Sequence, residues 1–126
     1  MTRRRATSPD EAGQAAVELA LVLPILLAVV FLLAQVGLLA RDRVLVVHAA
    51  REAARAAAVE PTTEAAREAA LRTRGLDPKK ISVATRREGR SITAIVSYRA
   101  VTNVRFLGRN LPEISMKEQV TGYVED

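Results

Sequence analysis

From Leu19 to Ala40 the chain runs for 22 residues without a charge, LALVLPILLAVVFLLAQVGLLA, and Gln35 is the one strongly polar side chain in the run. Coiled as an α-helix, such a run is about 33 Å long, against a bilayer hydrocarbon core of about 30 Å. Leu, Ile, Val and Phe fill most of its positions. Each contributes roughly 0.3 to 0.6 kcal/mol to insertion near the helix centre, several kcal/mol together, before Pro24, Gln35 and Gly37 are set against the sum. A core helix of a soluble protein would need apolar partners on every side, and a chain with two Phe, two Tyr and no Trp is short of them. A cleaved secretory signal would have a shorter apolar region, about 7 to 15 residues, closed by an Ala-x-Ala-like site, and the run meets neither condition. It reads as a membrane-spanning helix.

The rest of the 126 residues suffices for one small domain. Cysteine is absent, which excludes disulfides, cysteine-ligated zinc, cysteine nucleophiles and thiol lipidation, and leaves the compartment open. The net charge of +5 and pI near 10.4 invite a nucleic-acid reading. Against it, the cations are interleaved with Asp and Glu, no aromatic platform accompanies them, and no helix-turn-helix, RRM or KH signature occurs, so nucleic acid is not expected as a partner. His48 is the only histidine, too little for a metal site or a catalytic base, and reads as a surface or interfacial residue. With no nucleophile–base pair and no phosphate loop, the expectation is no catalytic residue, no metal, no cofactor and no enzyme activity.

Past the apolar run, Arg41 to Val59 (RDRVLVVHAAREAARAAAV) is rich in helix formers and lacks Gly and Pro. One rod is therefore predicted from near Gln14 to Val59, ended by Pro61. Ala49, Ala50, Ala53, Ala54, Ala57 and Ala58 recur at spacings of three and four. They form either a narrow face for packing toward other subunits or a simple consequence of high helix propensity, with Arg51, Glu52 and Arg55 on the wetter side. A second helix, Thr63 to Arg74, is predicted from Thr62 or Thr63 as N-cap, Glu64 in the first turn, Arg72 and Arg74 in the last, and Gly75 past the end. Ile81 to Thr85 and Ser91 to Val101 read as an antiparallel hairpin about Glu88-Gly89. A loop through Phe106, Gly108, Asn110 and Pro112 leads to a third strand, Ile114 to Val124. The fold class is α+β: a long N-terminal transmembrane helix, a short helix and a roughly three-stranded antiparallel sheet that rests one face on the alanine-rich rod.

Glu18 stands directly before the apolar run, where a bilayer would strip part of the hydration from its carboxylate. It reads either as a helix-start carboxylate favoured by the macrodipole or as one half of a pair with another subunit. Around it the sequence is Asp10-Glu11-Ala12-Gly13-Gln14-Ala15-Ala16-Val17-Glu18-Leu19-Ala20-Leu21-Val22-Leu23-Pro24. This resembles the class III signal of type IV pilin-like proteins: a charged leader, a glycine at the scissile bond, a glutamate fifth after the cut, then an apolar helix. More narrowly, AAVELALVLP followed by HAAREAAR resembles the TadE-like family of tight-adherence systems.

That resemblance implies roles residue by residue. Gly13 would precede the cut made by a membrane prepilin peptidase, its missing side chain admitting the peptide to a tight extended site. Gln14 would become the new N-terminus, and Glu18 would pair with its ammonium on a neighbouring subunit during assembly. Pro24 would kink the helix one to two turns into the membrane. Residues 1–13 would be a leader, 14–59 the long helix, spanning the membrane at 19–40, and 60–126 a small exposed domain. Arg3, Arg4 and Arg5 precede the span while Arg41, Arg43, Arg51 and Arg55 follow it, so the arginines do not decide orientation. The resemblance implies a cytoplasmic N-terminus and a C-terminal domain outside the inner membrane. The implied partners are other pilin or pseudopilin subunits, prepilin peptidase, assembly-platform proteins and membrane lipid. The implied function is that of a minor pilin or pseudopilin in a Flp-type pilus or secretion apparatus. The alternative is an uncleaved membrane-tethered adaptor that binds a partner through its exposed domain.

Overall fold

A computed structural model describes residues 9–100 and 113–124. The element order is α1 (Pro9–Val59), α2 (Thr63–Leu71), β1 (Ile81–Glu88), β2 (Ser91–Ala100) and β3 (Ile114–Tyr123), an α+β chain with one candidate membrane span. It divides into two units, Met1–Val36 and Gly37–Asp126.

In the first unit the helix begins at Pro9, earlier than the expected start near Gln14. A proline has no N–H to lose in a first turn and its φ already suits one, so the polar segment before Gly13 continues the helix. The apolar side chains from Val17 to Val36 are all exposed, from 45% at Leu23 to 70% at Leu21. A stretch that is apolar all round and covered nowhere suits lipid as its solvent.

The second unit holds the core. Val46, Ala49, Ala50, Ala53, Ala54 and Ala57 of α1 are buried in one cluster with Ala66 and Ala70 of α2, Ile81 of β1, Ile92, Ala94, Val96, Tyr98 and Ala100 of β2, and Met116 of β3. The alanine face is thus packed against the chain's own sheet and second helix, which corrects its reading as a face toward other subunits. Alanines let a sheet approach a helix closely, and burying each forfeits no side-chain entropy. Arg51, Glu52, Arg55 and His48 lie on the exposed side, as expected.

Pro61 follows the end of α1, and Thr62 starts α2 by accepting a hydrogen bond at Oγ1 from the N–H of Ala65 at 3.2 Å. α2 stops at Leu71, three residues short of the predicted end, with Arg72 as its C-cap. Arg72 and Arg74 are therefore not in its last turn, and Gly75, at φ +100°, serves the connection to β1 instead. The Oγ1 atoms of Thr63 and Thr85 are 2.6 Å apart and tie α2 to β1.

The sheet order is β1-β2-β3, antiparallel throughout, with Val83 opposite Val96 and Glu118 opposite Val96 on the other side. β1 extends to Glu88, three residues beyond the expected Thr85, because Glu88 still pairs with Ser91 across a two-residue turn. Gly89, at φ +60°, takes the first central position of that turn, where a type II′ hairpin requires positive φ. β2 alternates buried and half-buried residues along its length, with Ile92, Ala94, Val96, Tyr98 and Ala100 facing the helices. Val101 and the predicted loop through Phe106, Gly108, Asn110 and Pro112 lie outside the described residues.

Candidate functional site

The residues singled out at the head of the apolar run share the first turns of α1. Gly13 is exposed, and a Cβ built on it would meet nothing within 4 Å. A glycine inside a helix costs roughly 1 kcal/mol relative to alanine. No contact among the described residues offsets that cost. One turn on, the Gln14 side chain donates from Nε2 to Oε1 of Glu18 at 3.4 Å, an i to i+4 contact on an exposed face. Glu18 is itself exposed, directly ahead of the uncharged run. Pro24 lies inside α1 and supplies no N–H to the carbonyl of Ala20, and the helix continues on both sides of it.

This arrangement contains an acidic group, a neutral amide and a side-chain-free backbone position, all on the surface of a helix whose following turns, about six, are uncharged and mostly apolar. It offers a charge and a hydrogen-bonding head to something outside the chain. The same stretch is the described helix long and apolar enough to cross a membrane.

Residues 13–55 match the model of the TadE-like protein family. The TadE-like match thus begins at the glycine, contains the whole apolar run and the first turns of the alanine face, and stops before the sheet. TadE-like proteins are structural, Tad pilus-associated proteins rather than known enzymes. The family and the apolar helix together support a membrane location. No curated protein and no solved structure matches the chain.

Two contacts of the second unit go beyond what was read from the sequence. Arg43 of α1 forms an ion pair with Glu118 of β3, and Gly122 of β3 lies against the backbone of α1 at Ala54. The first joins residues of α1 and β3 that no local spacing relates. The signal for the second was available, since a glycine inside a strand often marks a close backbone approach.

Proposed function

We propose that the chain is a minor pilin or pseudopilin of a Tad-type pilus or secretion apparatus, held in the membrane by residues 19–40 before assembly. In this reading residues 1–13 are a leader on the cytoplasmic side and residues 60–126 form an exposed domain outside. A prepilin peptidase cuts after Gly13. Gln14 then heads the mature chain, and Glu18 pairs with the Gln14 ammonium of a neighbour, so that two charges costly in lipid satisfy each other and fix the stagger between helices. Pro24 loosens the rod just below that contact.

The observation that carries the reading is the combination at the head of the TadE-like match. An exposed helical glycine, whose Cβ would meet nothing within 4 Å among the described residues, stands five residues before an exposed glutamate, and the apolar run follows at once. The glycine costs helix stability where it stands, and a bilayer around the run would strip part of the hydration from the glutamate.

One observation favours the uncleaved adaptor as a second reading. The helix runs unbroken across the Gly13–Gln14 bond, and Gln14 already satisfies Glu18 within one chain. A peptidase that takes an extended segment must first unwind this turn, and a glycine there lowers the cost of doing so. Intact mass and N-terminal sequencing of the chain extracted from membranes of cells with an active prepilin peptidase separate the two. A product that starts at Gln14 supports the pilin; a full-length chain supports the adaptor.

A further inference from the structure

We propose that the end of the second unit nearest Gly37 is a docking surface for anionic phospholipid headgroups, built from Arg41, Arg74, Lys79, Lys80 and Arg99. The inference rests on the reading that residues 19–40 span a bilayer. Arg41 is the first residue after the apolar run, which puts it at headgroup level.

The fold gathers the other cations around it. A Cβ on Gly75 would lie 3.1 Å from Nη2 of Arg41 and 3.1 Å from Cδ1 of Leu45, so the α2–β1 connection is pressed on α1 at this point and carries Arg74 with it. Within the connection the N–H of Lys79 donates to Oδ1 of Asp77 at 3.0 Å, and the N–H of Asp77 donates to the Tyr98 hydroxyl at 3.5 Å. The N–H of Arg99 donates to the carbonyl of Lys80 at 3.1 Å, which brings the end of β2 to the same place. Three separate parts of the chain therefore deliver cations to one end of the unit.

Among the described residues, the carboxylates of that end are Asp42, Asp77, Glu113 and Glu118. Two of them are engaged, Asp77 with Lys80 at 3.8 Å and Glu118 with Arg43. Arg41, Arg74, Lys79 and Arg99 are exposed and have no ion pair among the described residues. In the proposed orientation these cations stand on the side of the membrane where the positive-inside bias disfavours them. Such a surface attracts each cation within about a Debye length, roughly fivefold in local affinity per charge. Single-stranded nucleic acid fits less well among the described residues, because stacking needs exposed rings, Tyr98 is buried, and the exposed Tyr123 pairs with Ser91 at the far end of the sheet.

The test places the full chain in nanodiscs of phosphatidylcholine alone and in nanodiscs containing phosphatidylglycerol, and follows backbone hydrogen exchange over residues 72–80. The turn at Gly89–Arg90, at the opposite end of the unit, is the internal control. Exchange over 72–80 is expected to slow roughly tenfold in the anionic discs and not at the control turn. Inorganic phosphate added to the phosphatidylcholine discs should not reproduce the slowing, which separates headgroups at the surface from free anion. The double variant Arg74→Gln/Lys79→Gln should lose most of it, while Arg51→Gln/Arg55→Gln, on the exposed middle of α1, should keep it. A chain that enters both discs and exchanges alike in them overturns this proposal alone. Slowing that persists in Arg74→Gln/Lys79→Gln, or that phosphate reproduces, also overturns it. A chain that enters neither disc overturns the membrane-spanning reading together with it.

Discussion

A Cβ on Gly122 would lie 3.3 Å from the carbonyl oxygen of Ala54 and 3.5 Å from the Cβ of Ala58, so β3 lies directly on the backbone of α1. The atom in the way is main chain within a helix and cannot rotate aside. Gly122→Val should therefore destabilise the sheet domain by about 1 to 3 kcal/mol, the usual range for overpacking a filled site. Thermal unfolding of the detergent-solubilised chain followed by circular dichroism measures it. An unchanged midpoint would show that the strand is free to lift from the helix.

Ala53 is fully buried beneath the sheet, whereas Arg55, two residues on, is exposed. Ala53→Leu is expected to cost about 1 to 3 kcal/mol, and Arg55→Leu to change stability by less than about 0.5 kcal/mol. If the alanine face were instead a free surface waiting for other subunits, the two substitutions would leave the isolated chain equally stable.

Glu118 faces the core side of an edge strand, opposite Val96, and Arg43 reaches it from α1. An inward-pointing charge on an edge strand discourages pairing with another chain. Because the Arg43 side chain is 56% exposed, the pair is screened and should contribute no more than about 1 kcal/mol. A double-mutant cycle with Arg43→Ala and Glu118→Ala at low salt should return a coupling of about 0.5 to 1 kcal/mol that shrinks in high salt. Zero coupling at low salt would reduce the contact to an incidental one.

If Gly13 precedes a cut, Gly13→Leu should abolish processing and leave membrane insertion intact, because nothing within 4 Å of the site resists a side chain. Gly13→Ala should also stiffen the first turns by up to about 1 kcal/mol and so slow cutting through the helix as well as through the protease site. Gel mobility in cells with and without an active prepilin peptidase reads both. A Leu variant processed like the parent chain removes Gly13 from the recognised site.

Glu18→Val should insert as well as the parent chain, since it extends an apolar run, yet fail to support pilus assembly. Its loss also frees the Gln14 side chain from its contact with Glu18 at 3.4 Å. Glu18→Gln, which keeps the shape and a hydrogen-bonding oxygen but not the charge, should be intermediate. Normal piliation in the Val variant would exclude the proposed pairing between subunits.

The elements carried by local rules were readable in advance. An uncharged run of 22 residues leaves a helix little alternative to lipid, whatever the rest of the chain does. Pro61 and Thr62 mark the break between the helices because one cannot continue a helix and the other caps the next. Ile81, Ser91 and Ile114 each open a strand at the predicted residue, since β-branched runs and the Gly89 turn signal are local. The roles of Gly13, Gln14 and Glu18 rest instead on the resemblance of six consecutive residues to a pilin-like signal, and they stand as proposals.

What tertiary structure alone decided is which surface each face meets. The alanine pattern from Ala49 to Ala58 was open to a face toward other subunits as well as to the expected seat of the sheet; the folded chain decided for its own sheet and second helix, because Gly122 and the buried side of β2 bring a second backbone within reach. The end of α2 was likewise decided by the need to turn through Gly75 onto Arg41 and Leu45, not by the arginines that could have extended it. The meeting of Arg43 with Glu118, and of Arg41 with the Gly75 connection, joins residues far apart in the chain. Spacing along a sequence specifies a periodicity, whereas a contact between distant segments depends on how closely the backbones between them can approach, and only the folded chain settles that distance.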